Sequence, residues 1–358
     1  MKTKKPSLDA FLATPVVDAQ APPPHLAIAQ REIAALKKQL ALQRGSADLI
    51  VSAVQSIFDD TPPDIKAPPL PPKNNNKALE VAVLHLSDLQ IGKRTADYDS
   101  SVAETRLQTI VEKTSEIVSL RMHTARIPEL HIFFGGDLVE GEQIFAGQAH
   151  EIDTPLLTQA CRTGPEAFTR TIHGLLPLFD KIHTHWVRGN HGRDGSKHGD
   201  QSKHTNWDTV AAIITQALCK PLAPRVTFNI AELDWKLVVE TLGWKHLLCH
   251  GDQIKGMLGF PWYGFGKKVG GWYQTVEPFD YVWTGHFHTA AAFDINNVTV
   301  LANGTLESSN AYAQESLAAG GAPKQRLAFF NESHGLIADS MLVLDSSRAP
   351  AKNRWKGR

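Results

Sequence analysis

The sequence predicts a layered α/β protein with two β-sheets and a helical extension at its N-terminus. Three observations carry this. Short apolar runs of strand length recur after residue 78, bounded by Gly, Asn and Asp. The early runs alternate with helix-length segments whereas the later ones follow one another closely, a mixture that a simple doubly wound sheet does not produce. Five of the runs end in a cluster of Asp, Asn, His and Gly, and loops at strand C-termini are where α/β sheets build their sites.

Taken in order, residues 1–24 read as a flexible N-terminus. Residues 25–58 read as helix, because Leu26, Ile33 and Leu40 recur at intervals of seven with Leu36 between them, and Gly45-Ser46 precedes a second apolar stretch. Two heptads are too few for a free-standing coiled coil, so this extension is expected to dock as a hairpin on its own body or on a second subunit, or to recruit a partner protein. Eleven of the 21 prolines precede Asn74, and residues 59–78 form a Pro-rich linker. The main domain spans 79–346. Its strands are expected at 81–87, 130–136, 183–189, 225–230, 235–241, 246–251, 281–285, 298–304 and 341–345, and its helices at 101–122, 154–179 and 207–220. Residues 347–358 carry Arg348, Lys352, Arg354, Lys356 and Arg358 without an acid and form a basic tail.

Composition narrows the function. A chain of 358 residues has ample length for a buried core, and 42% hydrophobic with 21% charged residues is ordinary for a globular protein. Lys+Arg and Asp+Glu are both 37, so whole-molecule charge (37 − 37 = 0) does not steer it toward nucleic acid or membrane, and any polyanion must be met by local patches. Cys161, Cys219 and Cys249 show no paired spacing, which points to a reducing compartment. No apolar run approaches the roughly 18 residues of a membrane span. Pro6, Asp9 and Pro15 interrupt any signal-type apolar stretch, and the expectation is a cytoplasmic protein of a bacterial or phage-infected cell with no membrane partner.

The polar clusters are chemically specific. They hold Asp88 and Gln90, then Asp137 and Glu140, then Asn190 and His191, then His250, then His286 and His288. Oxygen and imidazole donors without cysteine suit divalent Mn, Fe, Zn or similar ions and argue against a structural thiolate site. Two aspartates and three histidines exceed the needs of one catalytic ion, so two neighbouring ions sharing a carboxylate are the economical reading.

In order and residue type these motifs resemble those of the calcineurin-like metallophosphoesterases, whose pattern runs DxH, GDxx(D/E), GNH(D/E), an isolated His, then GHxH. The resemblance covers roughly residues 80–305 and leans toward the phage and bacterial members that process DNA. It implies a four-layer α-β-β-α sandwich of the metallophosphoesterase type. It also implies that Asp88, Gln90 and His288 hold a first ion, Asn190, His250 and His286 a second, and Asp137 bridges them. His191 then faces the leaving-group oxygen as a general acid or stabiliser.

Two departures follow. Gln90 stands where the family has His, and an amide is the weaker donor to a borderline metal, which favours Mn, with Mg, Fe or Zn as alternatives. GNH is followed by Gly192 and Arg193 instead of an acid, leaving Asp194 to orient His191, while Glu140 is expected to position local backbone or a ligand. His85, His123, His131, His173, His183, His185, His246 and His334 lack motif context and are expected to be structural or on the surface; His150, His198 and His204 follow metal stations and are candidates for substrate contact.

For substrate, residues 251–274 combine seven glycines and six aromatics, among them Trp262 and Tyr263, with Lys255, Lys267 and Lys268, and are read as a loop suited to stacking on bases beside a phosphate backbone. Arg193, Lys197 and Lys203 lie in a second loop beside His191. These segments favour a nuclease or other phosphodiesterase acting on nucleic acid. The alternatives are a protein or small-molecule phosphatase and an inactive nucleic-acid-binding scaffold of the same fold.

Overall fold

The computed structural model of the chain describes residues 50–52, 64–72, 77–195, 205–255, 260–307 and 322–345. The N-terminal segment, the helical extension apart from residues 50–52, the basic tail, Lys197, His198, Lys203 and His204 lie outside the described residues. Of the Pro-rich linker, residues 64–72 lie against the main body: Ile65 packs on its core, and the carbonyls of Lys66 and Pro68 meet His173 and Arg225.

Among the described residues eleven strands form two sheets. The first six-stranded sheet contains β1 (Ala78–Leu86), β2 (Ala125–Phe134), β3 (Lys181–Trp186), β4 (Val226–Ile230), β10 (Lys324–Asn331) and β11 (Gly335–Val343), in the order β11-β10-β1-β2-β3-β4. Strands β1 to β4 run parallel, and β10 and β11 close one edge antiparallel. The second sheet has the order β5-β6-β7-β9-β8, from β5 (Lys236–Thr241), β6 (Trp244–Cys249), β7 (Tyr281–Thr284), β8 (Ala291–Ile295) and β9 (Val298–Ala302).

The period-two alternation of β1 shows how the layers arise. Ala82, Leu84 and Leu86 point to helices α1 (Ser100–Arg121), α2 (Gly164–Leu175) and α3 (Trp207–Leu218), joining Leu107, Phe168 and Ile214 in one core. Val83 and the neighbouring Phe133 point the other way and meet Val239, Leu248, Trp283 and Leu301 of the second sheet. The outer face of that sheet, with Leu247, Val282 and Val300, is covered by α4 (Trp262–Thr275) through Phe265, Val269 and Trp272. The layers are therefore α-β-β-α, as expected.

Helix α4 corrects the loop expected over residues 251–274. Its apolar residues fall at 265, 269 and 272, one face of a helix, and the burial of that face outweighs the roughly 1 kcal/mol that each interior glycine costs. Gly264 is required by packing, since a Cβ there would lie 2.6 Å from the Lys255 carbonyl oxygen. Strands β8 and β10 were also not anticipated. The segment 154–179 is helical but interrupted: a π-helical turn at Gln159–Thr163 precedes α2. Helix α1 is capped by Asp99, whose carboxylate accepts from the Val102 N–H at 2.8 Å. Among the described residues no helix is long and apolar enough to cross a membrane.

Candidate metal centre

The parallel strands β1, β2, β3, β6 and β7 end on one rim, and each exit loop delivers a polar side chain. The backbone there is unusual: Asp88, Gln90, Asp137, His286 and His288 have φ between 46° and 70°, the left-handed region that non-glycine residues seldom occupy. Such conformations persist where surrounding structure over-determines them, and they mark sites. Backbone bonds lock these loops to each other, with the Asp88 N–H donating to Gly136 O at 3.0 Å and the Gln90 N–H to Asp137 O at 2.9 Å.

Close approach explains the glycines of the motifs. A Cβ on Gly189 would lie 2.0 Å from Asp137 Oδ1, and a Cβ on Gly285 would lie 2.3 Å from Asp88 Oδ2. Each glycine makes room for a carboxylate that arrives from another strand.

The ligand candidates fall into two groups. In one, Asp137, His250 and His286 each offer a ligand atom within 4.8 Å of the others, and Asn190 Oδ1 lies 3.2 Å from His250 Nε2. In the other, His288 Nε2 lies 3.3 Å from Asp88 Oδ1. His250 tests whether a cation fits. Its Nδ1–H donates to the Gly135 carbonyl at 2.8 Å, which turns Nε2 toward Asp137 Oδ2 at 3.0 Å and Asn190 Oδ1. Two buried oxygens facing that nitrogen are stable only with a positive charge between them, a proton on Nε2 or a metal ion in its place. A divalent ion fits that demand, and the oxygen and nitrogen donors match the ions expected from the sequence.

The electrostatics express the same demand. Burial alone would depress both His250 and His191, yet the Asp137 carboxylate holds His250 up to about 10, and Asp137 with Glu140 holds His191 up to about 9. Asp137 itself lies well below the usual carboxylate range because His250 and His191 outweigh its burial. In His286 burial and the neighbouring His250 outweigh Asp137, Asp88 and Asp252 and bring it down to about 4.

His191 is placed by two carboxylates. Its backbone N–H donates to Asp137 Oδ1 at 2.7 Å, and its Nδ1 faces Glu140 Oε2 at 3.0 Å. The orienting acid is therefore Glu140, from the second motif, and the partner sought at Asp194 after GNH is supplied from another loop. The two positions are far apart in sequence but adjacent strands deliver them together.

Gln90 is fully buried among these residues. Its Oε1 accepts from the Lys93 ammonium at 3.3 Å, and its Nε2 lies 3.5 Å from His191 Nε2. Lys93 in turn pairs with buried Glu307 at 2.9 Å. Neither Lys93 nor Glu307 was singled out from the sequence. A third residue missed was Asp208, at the start of α3, whose carboxylate accepts from the backbone N–H groups of Asp137, Leu138, Val139 and Gly189 at 2.8 to 3.1 Å. It ties the second and third motifs into one unit. Burial first, and then repulsion from Asp137, push it up to about 6. Only its place two residues after the N-cap Asn206 marks it locally.

The expected substrate residues are dispersed. Arg193 pairs with Asp252. Trp262 and Tyr263 are 59% and 82% exposed on the first turn of α4, Lys267 is exposed one turn on, and the Lys268 ammonium lies 5.9 Å from the Trp272 ring centroid. Phe260, two residues before the helix, reaches the rim: its ring centroid lies 5.8 Å from that of Phe287, between His286 and His288.

A four-layer body with a buried carboxylate–imidazole cluster on one rim is thus the class that fold and site define. The sequence matches no family model and no curated protein. Among solved structures the chain is similar to wild-type Vps29 complexed with Zn2+ from Entamoeba histolytica, at 14% identity over 73% of this chain and 99% of that one, with a TM-score of 0.34. It is also similar to a predicted phosphoesterase from Streptococcus pneumoniae, at 14% identity over 73% and 97% of the two chains, with a TM-score of 0.28. A third is an archaeal phosphodiesterase, at 11% identity over 73% and 99%, with a TM-score of 0.34.

Proposed function

We propose that this chain is a metal-dependent phosphodiesterase of the calcineurin-like kind, acting on nucleic acid. The observation that carries the reading is the convergence of Asp88, Asp137, Asn190, His250, His286 and His288 on one rim, with the buried lone pairs of Asp137, Asn190 and His250 turned toward a common point. Two divalent ions, Mn favoured, would be held by Asp88, Gln90 and His288 on one side and Asn190, His250 and His286 on the other, with Asp137 between. Ions bound there supply Lewis acidity toward a phosphoryl oxygen and a nucleophilic hydroxide at neutral pH.

The chain's own residues do the rest. Asp208 and Glu140 hold the Asp137 and His191 loops in register. His191, kept protonated by its two carboxylates, is placed to donate a hydrogen bond or proton at the leaving-group oxygen. Nucleic acid is favoured over a small ester by the exposed Trp262 and Tyr263 beside Lys267, since aromatic faces next to cations suit bases along a phosphate backbone.

The test compares, with Mn, the hydrolysis of single- and double-stranded DNA, RNA, bis-p-nitrophenyl phosphate and a phosphopeptide. Polynucleotide cleavage is expected, with an affinity that falls as salt rises. In Lys267→Ala/Lys268→Ala that salt slope should flatten by up to about two, with bis-p-nitrophenyl phosphate turnover unchanged. Hydrolysis of monoesters alone would end the nuclease reading and leave a phosphatase.

A further inference from the structure

We propose that Glu129, His131 and His183 form a second divalent-metal site, suited to a borderline ion of the zinc class, on the first sheet and apart from the rim. The three residues sit on the face of β2 and β3 that is turned toward the second sheet. His131 is paired in register with His183, and Glu129 lies two residues earlier on the same face of β2. Each offers one ligand atom within 4.8 Å of the other two, and the two imidazole centroids are 4.9 Å apart. The site stands clear of the catalytic loops: His131 precedes Asp137 by six residues, and His183 lies in the first half of β3.

What singles this cluster out is the way neighbouring groups aim it. His183 Nδ1 meets Thr227 Oγ1 at 2.8 Å on β4, and His131 Nδ1 meets His185 Nε2 at 3.1 Å. The remaining nitrogen of His185, Nδ1, lies 3.4 Å from Asn229 Nδ2. With the Asn229 amide turned over so that its oxygen faces His185 Nδ1, one proton assignment satisfies all three contacts: each Nδ1 carries the hydrogen, Thr227 Oγ1, His185 Nε2 and the Asn229 oxygen accept, and the Nε2 lone pairs of His131 and His183 stay free. Imidazoles oriented through one nitrogen so that the other can ligate are the usual support of a metal site.

His183 Nε2 then faces Glu129 Oε2 at 3.8 Å, lone pair toward carboxylate. Burial, with Lys181 adding to it, lowers His183 below the ordinary histidine value despite Glu129, so the pair is not closed by a proton at neutral pH. Two imidazole nitrogens and one carboxylate oxygen suit Zn2+, Co2+ or Ni2+ and leave a coordination position open. The side chains of Glu129 and His183 are 40% and 24% exposed, so an ion reaches them from solvent. Such an ion would clamp β2 to β3 below the loops that carry Asp137 and Asn190.

Equilibrium dialysis of the metal-free full chain against micromolar Zn2+ or Co2+, with metal content read by mass spectrometry, decides the matter. Asp137→Asn is expected to retain one tightly bound equivalent, and Glu129→Gln added to it to remove that equivalent. Glu129→Gln alone should lower the content of the otherwise unaltered chain by one, leave Mn-dependent hydrolysis of bis-p-nitrophenyl phosphate unchanged, and reduce the zinc-dependent rise in thermal midpoint by roughly 5 °C. His183→Gln should behave as Glu129→Gln does. Should His183→Gln fail to fold, the exposed Glu129→Gln still answers. Equal metal content in the unaltered chain and Glu129→Gln, or no metal retained by Asp137→Asn, would overturn the proposal.

Discussion

His246 and His250 stand four residues apart, one within β6 and one just beyond it, and neither has any solvent exposure. They are driven to opposite charge states. His246 lies between Thr241 Oγ1 at 2.7 Å and the Trp283 indole N–H at 3.1 Å, and burial with no carboxylate to offset it brings it down to about 3. His250 faces the Asp137 carboxylate and is held up to about 10. The same contrast recurs on β3, where His185 is brought down to about 3 and His191, past the strand end, is raised to about 9. Burial therefore does not decide whether a histidine is charged here; its partner does. The histidines between the sheets are neutral, and the rim gathers charge of both signs.

The comparison breaks most severely if the rim loses its carboxylate. Asp137→Asn should lower metal content on both sides and slow phosphodiester turnover by roughly 10⁴-fold, the several kcal/mol that metal-centred charge stabilisation supplies. Metal analysis with activity assays checks this, and a mutant that keeps two tightly held ions and its turnover would remove Asp137 from between them.

The neutral histidines are probed by acid. His85, His185 and His246 are all brought down to about 3 from 6.5, so the stability they contribute is present above 6.5 and is lost as pH falls toward 3, because unfolding takes up their protons. Asp208, raised to about 6, works in the opposite sense and offsets one of the three. His286, down to about 4, and His131, held well below its ordinary value, add to the proton uptake, so stability should fall steadily as pH drops from 6 to 4. Denaturant midpoints that stay level over that range would show that these histidines are charged in the folded chain.

A smaller effect sharpens the contrast at one residue. Glu140→Gln leaves the His191 ring in place but removes the charge opposite Nδ1, and should cost about 10- to 100-fold in turnover with metal content unchanged. The loss should be larger for poor leaving groups than for p-nitrophenyl esters, and equal losses would detach Glu140 from the proton-donating step.

Much of this was legible because the rim obeys local rules. Apolar runs that stop at Gly, Asp, Asn or His announced Asp88, Asp137, Asn190, His250, His286 and His288, and the structure brings all six to the rim. The four-layer order followed from the same motifs. What stayed hidden depends on contacts between segments distant in sequence. Glu140 reaches His191 across 51 positions, Lys93 reaches Glu307 across 214, and Asp208 gathers backbone groups up to 71 positions away. Helix α4 was obscured by its own glycines, whose weak helical propensity is overridden by packing on the second sheet. Strand β8, Ala291–Ile295, opens with two alanines, which mark a strand poorly.

The glycines of the rim also set an order of inheritance. Because Gly285 leaves space for Asp88, and Gly189 for Asp137, any side chain gained at 285 or 189 evicts a carboxylate on another strand. Loss of the carboxylate does not release the glycine, since a Cβ at 285 would still lie 2.8 Å from Ser87 Cβ and one at 189 would lie 2.2 Å from the Asp137 backbone nitrogen. Descendants that have abandoned the chemistry should therefore lose the carboxylates while keeping both glycines, which the neighbouring chain still requires.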